Sequence, residues 1–375
     1  MLMHPFFKLM ADKRASDLFF TADMAPQIKI EGTIMPVNDK PFTGEQVKRL
    51  AYSLMSEEEI TEFEANLEMN FGRQVEELGN YRVNIFRQRG DVALVIRFIA
   101  PVIPSLEHLH LPTSLQELVQ LKRGLVFVVG ATGSGKSSTV AAMLDHRNRN
   151  QSGHILTVED PIEFVFEHKK SMVNQREIGI DTLSYGNALK NAMREAPDVL
   201  MIGEIRDAET LTYAINYAQS GHLCISTLHG NNSYHTLNRI ISFFPLENRT
   251  ALLMDLSETL KAVLSQRLVP TLDGKRRPAM ELLINTPHIA ELIRNGEIGK
   301  IKEAIEASMS DGSQTFEQSL FRLYKAGYIS LDTAMQYADS PTNLYWLINH
   351  ESASKTASPG DSDNQASFSG FTLEH

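Results

Sequence analysis

Gly130-Ala131-Thr132-Gly133-Ser134-Gly135-Lys136-Ser137 has the spacing G-x-x-x-x-G-K-[ST] of a phosphate-binding loop. Glycines let backbone N–H groups wrap a chain of phosphates without Cβ clashes. The start of the following helix adds partial positive charge. Lys136 can reach the β- and γ-phosphates, and the Ser137 hydroxyl can ligate Mg²⁺. Ser138 belongs to the same cradle. A second element, Val199-Leu200-Met201-Ile202-Gly203-Glu204, ends an apolar run in an acid. In the usual pattern an Asp at the Gly203 position orders the Mg²⁺ shell. A lone carboxylate one residue later, Glu204, suits polarising the attacking water better than holding a metal.

Three further groups are open on spacing alone. Glu159, Asp160 and Glu163 follow the apolar run Ile155 to Val158, so they fall at the carboxyl edge of a sheet, where ligands of open α/β folds bind. They could orient water and Mg²⁺, with Glu159 and Glu163 acting on the ion through water, or form a solvated acidic loop. His222 and His229 flank a fourth apolar run and could be structural. With Cys224 on the His222 face, they make a sparse set of zinc ligands. Arg82 and Arg97 alternate with apolar residues and sit opposite them, the ordinary place for an exposed strand arginine.

These groups need elements to hold them. Leu125 to Val129, Ile155 to Val158, Val199 to Ile202 and His222 to Thr227 are short apolar, β-branched runs of the kind buried parallel strands show. Between them lie helical stretches, Lys136 to Arg147, a stripe at Ala188, Leu189, Ala192 and Met193 stopped by Pro197, and Leu211 to Ala218 closed by Gly221. Strands alternating with helices predict a parallel sheet with helices on both faces, an α/β fold. Gln266 to Leu272 and Arg277 to Ile284 can pair through Asp273-Gly274. Thr113 to Lys122 reads as a short helix with Gly124 as its C′ residue.

The chain upstream is mixed α/β. Ser56 with Glu59 is a capping box for a helix to about Leu67, and Tyr81 to Ile85 and Val92 to Phe98 alternate with the period of strands. Residues 1–100 make an N-terminal domain, and the prolines at 101, 104 and 112 make 101–112 a linker. Residues 113–285 form the core, and 286–350 a helical subdomain with a second capping box at Thr315 and Gln318. Residues 351–375, with six serines and few apolar groups, are a disordered tail.

Composition sets the outer bounds. The 375 residues carry 36 Lys+Arg against 46 Asp+Glu, a net charge of −10. An acidic chain is a poor tracker of nucleic-acid backbones, which argues against a recombinase or helicase. The single cysteine, Cys224, allows no intrachain disulfide, so the cytosol is the expected compartment. No secretory signal and no run long enough to span a bilayer is expected.

Taken in order, the motifs resemble the secretion-type ATPases of type II secretion and type IV pili. Within them they resemble the PilT/PilU pilus-retraction group, PilU more than PilT. The resemblance extends to about His350. It rests on Ser16-Asp17-Leu18, the Walker A run at 130–137, Thr157 to Phe164 as an Asp box, and Asn174 to Glu177. Pro197 to Asp207 matches an atypical Walker B, and Ser220 to His229 a His box. It implies a PAS-like N-terminal domain, a RecA-like core with a parallel sheet, and a C-terminal helical subdomain. It also implies a hexameric ring hydrolysing Mg²⁺-ATP. Glu204 then becomes the catalytic glutamate, with Glu159, Asp160 and Glu163 positioning water and Mg²⁺. His222 and His229 become sensors of the nucleotide, and Arg82 and Arg97 arginines given to an active site. The implied partners are other copies of the chain, a PilT-type retraction ATPase and the inner-membrane platform protein of the pilus. The implied place is the cytoplasmic side of that membrane, with no direct insertion.

Two departures stand out. Where PilT carries Ala-Ile-Arg-Asn-Leu-Ile, a stretch associated with retraction, this chain reads Ile289-Ala290-Glu291-Leu292-Ile293-Arg294, and Gly230 replaces a Thr. The resemblance therefore leaves open an ATPase motor or a ring subunit that supports a PilT-type motor by binding.

Overall fold

Strands β1 (Asp17–Phe20), β2 (Gln27–Ile30), β3 (Thr33–Pro36), β4 (Glu68–Val75), β5 (Gly79–Gln88) and β6 (Asp91–Ile99) pair antiparallel in the order β3-β2-β1-β6-β5-β4. The pleat sends alternate side chains to opposite faces. Tyr81, Val83 and Ile85 are therefore buried, while Arg82 between them is not. Helices α1 (His4–Lys13), α2 (Gly44–Tyr52) and α3 (Glu57–Asn66) complete this module. The expected capping box at Ser56 and Glu59 starts α3, and Thr43 with Gln46 makes another at α2. The computed structural model describes residues 2–356 apart from 31, 100, 101, 309 and 311.

The second module is a seven-stranded sheet. It contains α4 (Ser114–Val119), β7 (Gly124–Val129), α5 (Lys136–Asn150), β8 (Gly153–Glu159), β9 (Ser171–Glu177), α6 (Tyr185–Ala192), β10 (Val199–Ile202), α7 (Ala208–Gln219) and β11 (Leu223–Leu228). Then follow α8 (Ser233–Ser242), α9 (Arg249–Thr259), β12 (Leu260–Pro270) and β13 (Arg276–Ile284). The order is β13-β12-β7-β11-β10-β8-β9, parallel throughout except for the β12–β13 hairpin. Leu125, Phe127 and Val129 of β7 pack on one face with α6, α7 and α9, while Val126 and Val128 pack on the other with α4 and α5. Both faces are covered, which is why the strands read as unbroken apolar runs.

Several boundaries differ from those the sequence predicts. Gly124 is the first residue of β7, not a helix terminus, because α4 already ends at Val119. The hairpin strand begins at Leu260, six residues before Gln266, because it pairs with β7 along its first half. Strand β9 has no counterpart in the sequence reading. As an edge strand it buries only Ser171 and Val173, so its apolar signal is thin. The expected linker is held down: Leu106 and Leu111 are buried in the α4–α5 core. Pro101 lies outside the described residues.

Helices α10 (Pro287–Arg294) and α11 (Ile301–Glu306) pack into the sheet's own core. Helices α12 (Phe316–Lys325), α13 (Leu331–Tyr337) and α14 (Pro341–Thr356) form a separate small core on the hairpin, around Phe316, Leu320 and Leu344. The residues expected to be helical after Thr286 are thus divided between two cores. Of the tail expected from Glu351, the residues to Thr356 are helical, in α14, and residues 357–375 lie outside those described.

Tyr81 anchors the strand that carries Arg82. Its ring is fully buried against Phe7 and Phe98, and its hydroxyl donates to the carbonyl oxygens of Phe7 and Leu78, each at 3.1 Å. Burial pushes its pKa up to about 12. Tyr81→Phe leaves those carbonyls without that donor and should lower stability by about 1–2 kcal/mol, read from urea denaturation.

Candidate nucleotide site

The loop after β7 turns into α5 with Gly133 at φ 77° and Gly135 at φ 89°, both left-handed. Its floor is tight. A Cβ on Gly130 would lie 2.4 Å from Ser134 Oγ and 2.5 Å from the Gln266 carbonyl, and one on Gly135 would lie 2.8 Å from Gln266 Nε2. Gln266, buried on β12, donates from Nε2 to the Ser134 carbonyl at 2.7 Å and accepts from Thr139 Oγ1 at 2.7 Å. It ties the loop, the helix and the neighbouring strand together. Lys136 Nζ donates to the carbonyls of Gly130 and Ala131, at 2.9 and 3.0 Å. Partial burial lowers its pKa, opposed by the charges of Glu204 and Glu163.

Above the loop lies a cleft of about 600 Å³. Thr132, Gly133, Gly135, Lys136, Ser137 and Ser138 line one side, and Glu159, Asp160, Glu163, Glu204 and His229 face them. Gly130 and Ala131 are not in the lining and contribute backbone. Leu268 and Arg276 of the hairpin and Arg97 of β6 complete the wall.

The acids differ in what is left of their oxygens. Glu159 is buried and accepts from Thr157 Oγ1 at 2.7 Å and from Gln175 Nε2 at 3.1 Å. Burial raises its pKa, partly opposed by those bonds and by the Glu163 backbone N–H. It braces the loop that Asp160 and Glu163 occupy. Gln175 also donates to the Phe164 carbonyl and accepts from the Phe166 N–H. Glu177 accepts from the Ile162 N–H at 3.0 Å. These two β9 residues, on one strand face, mould the acidic loop. In the sequence they stand in the Asn174 to Glu177 motif, where spacing alone gives them no role.

Glu204 is held on both sides. Its Oε2 takes Arg206 Nε at 2.9 Å, and its Oε1 lies 3.2 Å from His229 Nε2. Arg206 also lies 3.8 Å from Asp160. No spacing rule singled out Arg206; only its place two residues after the strand-end acid could have. Gly203 explains the missing Asp. A Cβ there would meet the Tyr185 hydroxyl at 2.9 Å and Glu159 Cα at 3.2 Å, so the backbones of β8 and β10 approach more tightly than most side chains allow.

Arg82 reaches the acidic loop from the N-terminal module but does not line the cleft. Its Nη2 donates to the Ile162 carbonyl at 3.1 Å. Burial lowers its pKa, offset by Glu177 and Glu163. His222 is not brought in. It precedes β11 while His229 follows it, and a six-residue strand separates them by about 20 Å. His222 packs on Tyr217, with Nδ1 3.0 Å from the Ser220 hydroxyl. Cys224 is fully buried, and burial raises its pKa strongly. Among the described residues no three His, Cys, Asp or Glu side chains gather closely enough to hold a metal ion, so the zinc alternative falls.

Residues 2–319 match the family described as Type II/IV secretion system protein. The chain belongs to that family. It is 46% identical to the type IV pilus ATPase PilU of Pseudomonas aeruginosa, over 98% of this chain and 95% of that protein. It is 40% identical to the type IV pilus retraction ATPase PilT of the same organism, over 89% and 97%. A crystal structure of the pilus retraction motor PilT with bound ADP superposes with a TM-score of 0.85 at 41% identity, covering 91% of this chain and 98% of that one. Within the secretion family the chain thus falls in the PilT/PilU group, with the likeness to PilU both higher and longer. It is an ATPase, and its fold is that of this group.

Two outcomes follow from the packing. Glu159→Gln keeps the acceptor oxygen and removes a buried charge. The folded protein holds this proton to higher pH than the unfolded chain, whose carboxyl titrates near 4.5, so the residue's contribution to stability falls as pH rises above that value. The variant should be the more stable at neutral pH and show less of that fall, measured by denaturant melts at about pH 5 and about pH 8. Gly203→Asp should cost about 1–3 kcal/mol in the same assay through overpacking.

Proposed function

We propose that this chain is a Mg²⁺-ATP-hydrolysing subunit for type IV pilus retraction, of the PilU type, working in a homohexameric ring. The observation that carries the reading is the meeting of Lys136 and the phosphate-loop amides with Glu204 across one cleft. The likeness to PilU and PilT, proteins named as pilus ATPases, supports the pilus assignment.

In this mechanism the loop amides hold the phosphate chain and Lys136 moves from its two carbonyls onto the β- and γ-oxygens. Mg²⁺, bound with the nucleotide, would be held by the Ser137 hydroxyl, with Asp160 and Glu163 reaching it through water, and would supply charge neutralisation at the phosphates. Glu204 accepts hydrogen bonding from the attacking water and aims it at the γ-phosphorus, with His229 and Arg206 fixing its two oxygens. Arg82 and Arg97 add positive charge where negative charge spreads in the transition state, a contribution of about 10³–10⁵ in rate for a well-placed arginine, or roughly 4–7 kcal/mol of barrier. Phosphate release then loosens the contact between the modules, which Arg82 makes through Ile162. His222, remote from this chain's own cleft, is given no part.

The partners in this reading are other copies of the chain, a PilT-type retraction ATPase and the inner-membrane platform protein. The place is the cytoplasmic base of the pilus. No helix among the described residues is long and apolar enough to cross a membrane, consistent with attachment through a partner. A second reading, a ring subunit that supports a PilT-type motor by binding, draws on α10, whose sequence departs from the PilT retraction stretch. There Ile289, Leu292 and Ile293 turn into the core.

Lys136→Ala should abolish ATP turnover with an unchanged melting curve. Normal hydrolysis by that variant would remove the phosphate-loop assignment. Glu204→Gln should bind ATP and turn it over at least about 100-fold more slowly. Twitching assays then separate the two readings: the motor reading requires Glu204→Gln to resemble a deletion, and wild-type retraction favours the binding role.

A further inference from the structure

Strand β6 lies between β1 and β5, and Arg97 sits in register with Asp17 on one side and Arg82 on the other. Cross-strand partners share a sheet face, so two guanidinium groups stand side by side. Like charges in that relation are destabilising. Asp17 is the countercharge. It is only 4% exposed, although the Arg97 side chain is 61% exposed. A buried acid paired with an open arginine is a weak device for stability, because desolvating the acid opposes what the screened pair contributes.

The details of the pair are those of an aiming device. Asp17 Oδ1 accepts from Arg97 Nε at 2.8 Å, and Oδ2 accepts from the Ser16 hydroxyl at 2.9 Å. Both oxygens are engaged, so the carboxylate is fixed. The guanidinium is planar, and anchoring it at Nε sets the direction of its Nη fork. Among the described residues none accepts a hydrogen bond from those Nη groups, and Arg97 lines the cleft over the phosphate loop. A free Nη fork is the part of arginine that grips phosphate bidentately.

We infer that Asp17, braced by Ser16, is a positioning residue that aims Arg97 at the nucleotide phosphates. The inference rests on the proposed reading of Arg97 as a phosphate ligand and goes beyond it. It gives the Ser16-Asp17 pair, at least eighty residues before any cleft-lining side chain in the sequence, a task in ATP turnover.

The test is a double-mutant cycle on the full chain with Mg²⁺-ATP: Asp17→Ala, Arg97→Ala and both together, with kcat and KM measured for each and melting curves as controls. Each single change should lower kcat by at least about tenfold with KM within about threefold. The double variant should be no slower than Arg97→Ala, because Asp17 acts only through Arg97. Asp17→Asn, which keeps an acceptor for Nε, should recover part of the loss, and it carries the test if Asp17→Ala does not fold. A normal kcat in the Asp17 variants, or a double variant slowed by the product of the two factors, overturns the inference while leaving Arg97 in place. A normal kcat in Arg97→Ala overturns both the inference and the phosphate role of Arg97, and leaves the phosphate loop to be judged by Lys136→Ala.

Discussion

Gly130 and Gly135 have no room for a side chain because Gln266 lies directly beneath them. Gln266 joins the loop, through the Ser134 carbonyl, and the contiguous α5, through Thr139, to β12, more than a hundred residues further along the chain. The loop's shape is therefore set from below by the sheet. Its upper side lines the cleft, where an anionic ligand would sit. The same strand continues into the hairpin that α12 to α14 pack upon, so the C-terminal core hangs from the element that floors the nucleotide cleft.

A second close approach acts on the other side of the cleft. Gly203 lets the ends of β8 and β10 come together, and this brings the Glu159 loop and Glu204 to one edge of the sheet. With no Asp on β10, its usual task cannot be done there. In the proposed mechanism the acids at and beyond the end of β8 would supply the oxygens instead, and they are graded. Glu159 is buried and its Oε1 takes both Thr157 and Gln175, while Asp160 and Glu163 are open to the cleft. A carboxylate that braces and carboxylates that face solvent are different devices, although in the sequence they are three acids in five residues.

That contrast shows what was legible beforehand. The phosphate loop, the Asp273-Gly274 turn and the caps at Ser56 and Thr315 depend on residues within a few positions of each other, so composition and spacing display them. The parallel strands were visible because burial on both faces makes them apolar throughout. Strand β9 was not, since an edge strand buries little, and neither were its moulding residues Gln175 and Glu177. Gln266 meets Ser134 across 132 positions, and no local pattern marks such a pairing. The distance of His222 from the cleft is hidden for another reason. Its motif neighbours His229 in the chain, but an extended strand carries the two apart.

The N-terminal module raises the same question at a larger scale. Its sheet buries Tyr81, Val83 and Ile85 and would be complete without Arg82 or Arg97, which contribute nothing to its core. Two cations in register are a cost that folding alone would not retain. Their neighbours resolve the cost in opposite directions. Arg82 is turned across to the Ile162 carbonyl and the acids around it, whereas Arg97 is held back by Asp17 with its fork free. One arginine therefore fastens the module to the acidic loop, and the other is kept available beside the phosphate loop. Separating fastening from reaching lets the contact between modules change while the reaching group keeps its aim, because that aim is fixed within the N-terminal sheet itself.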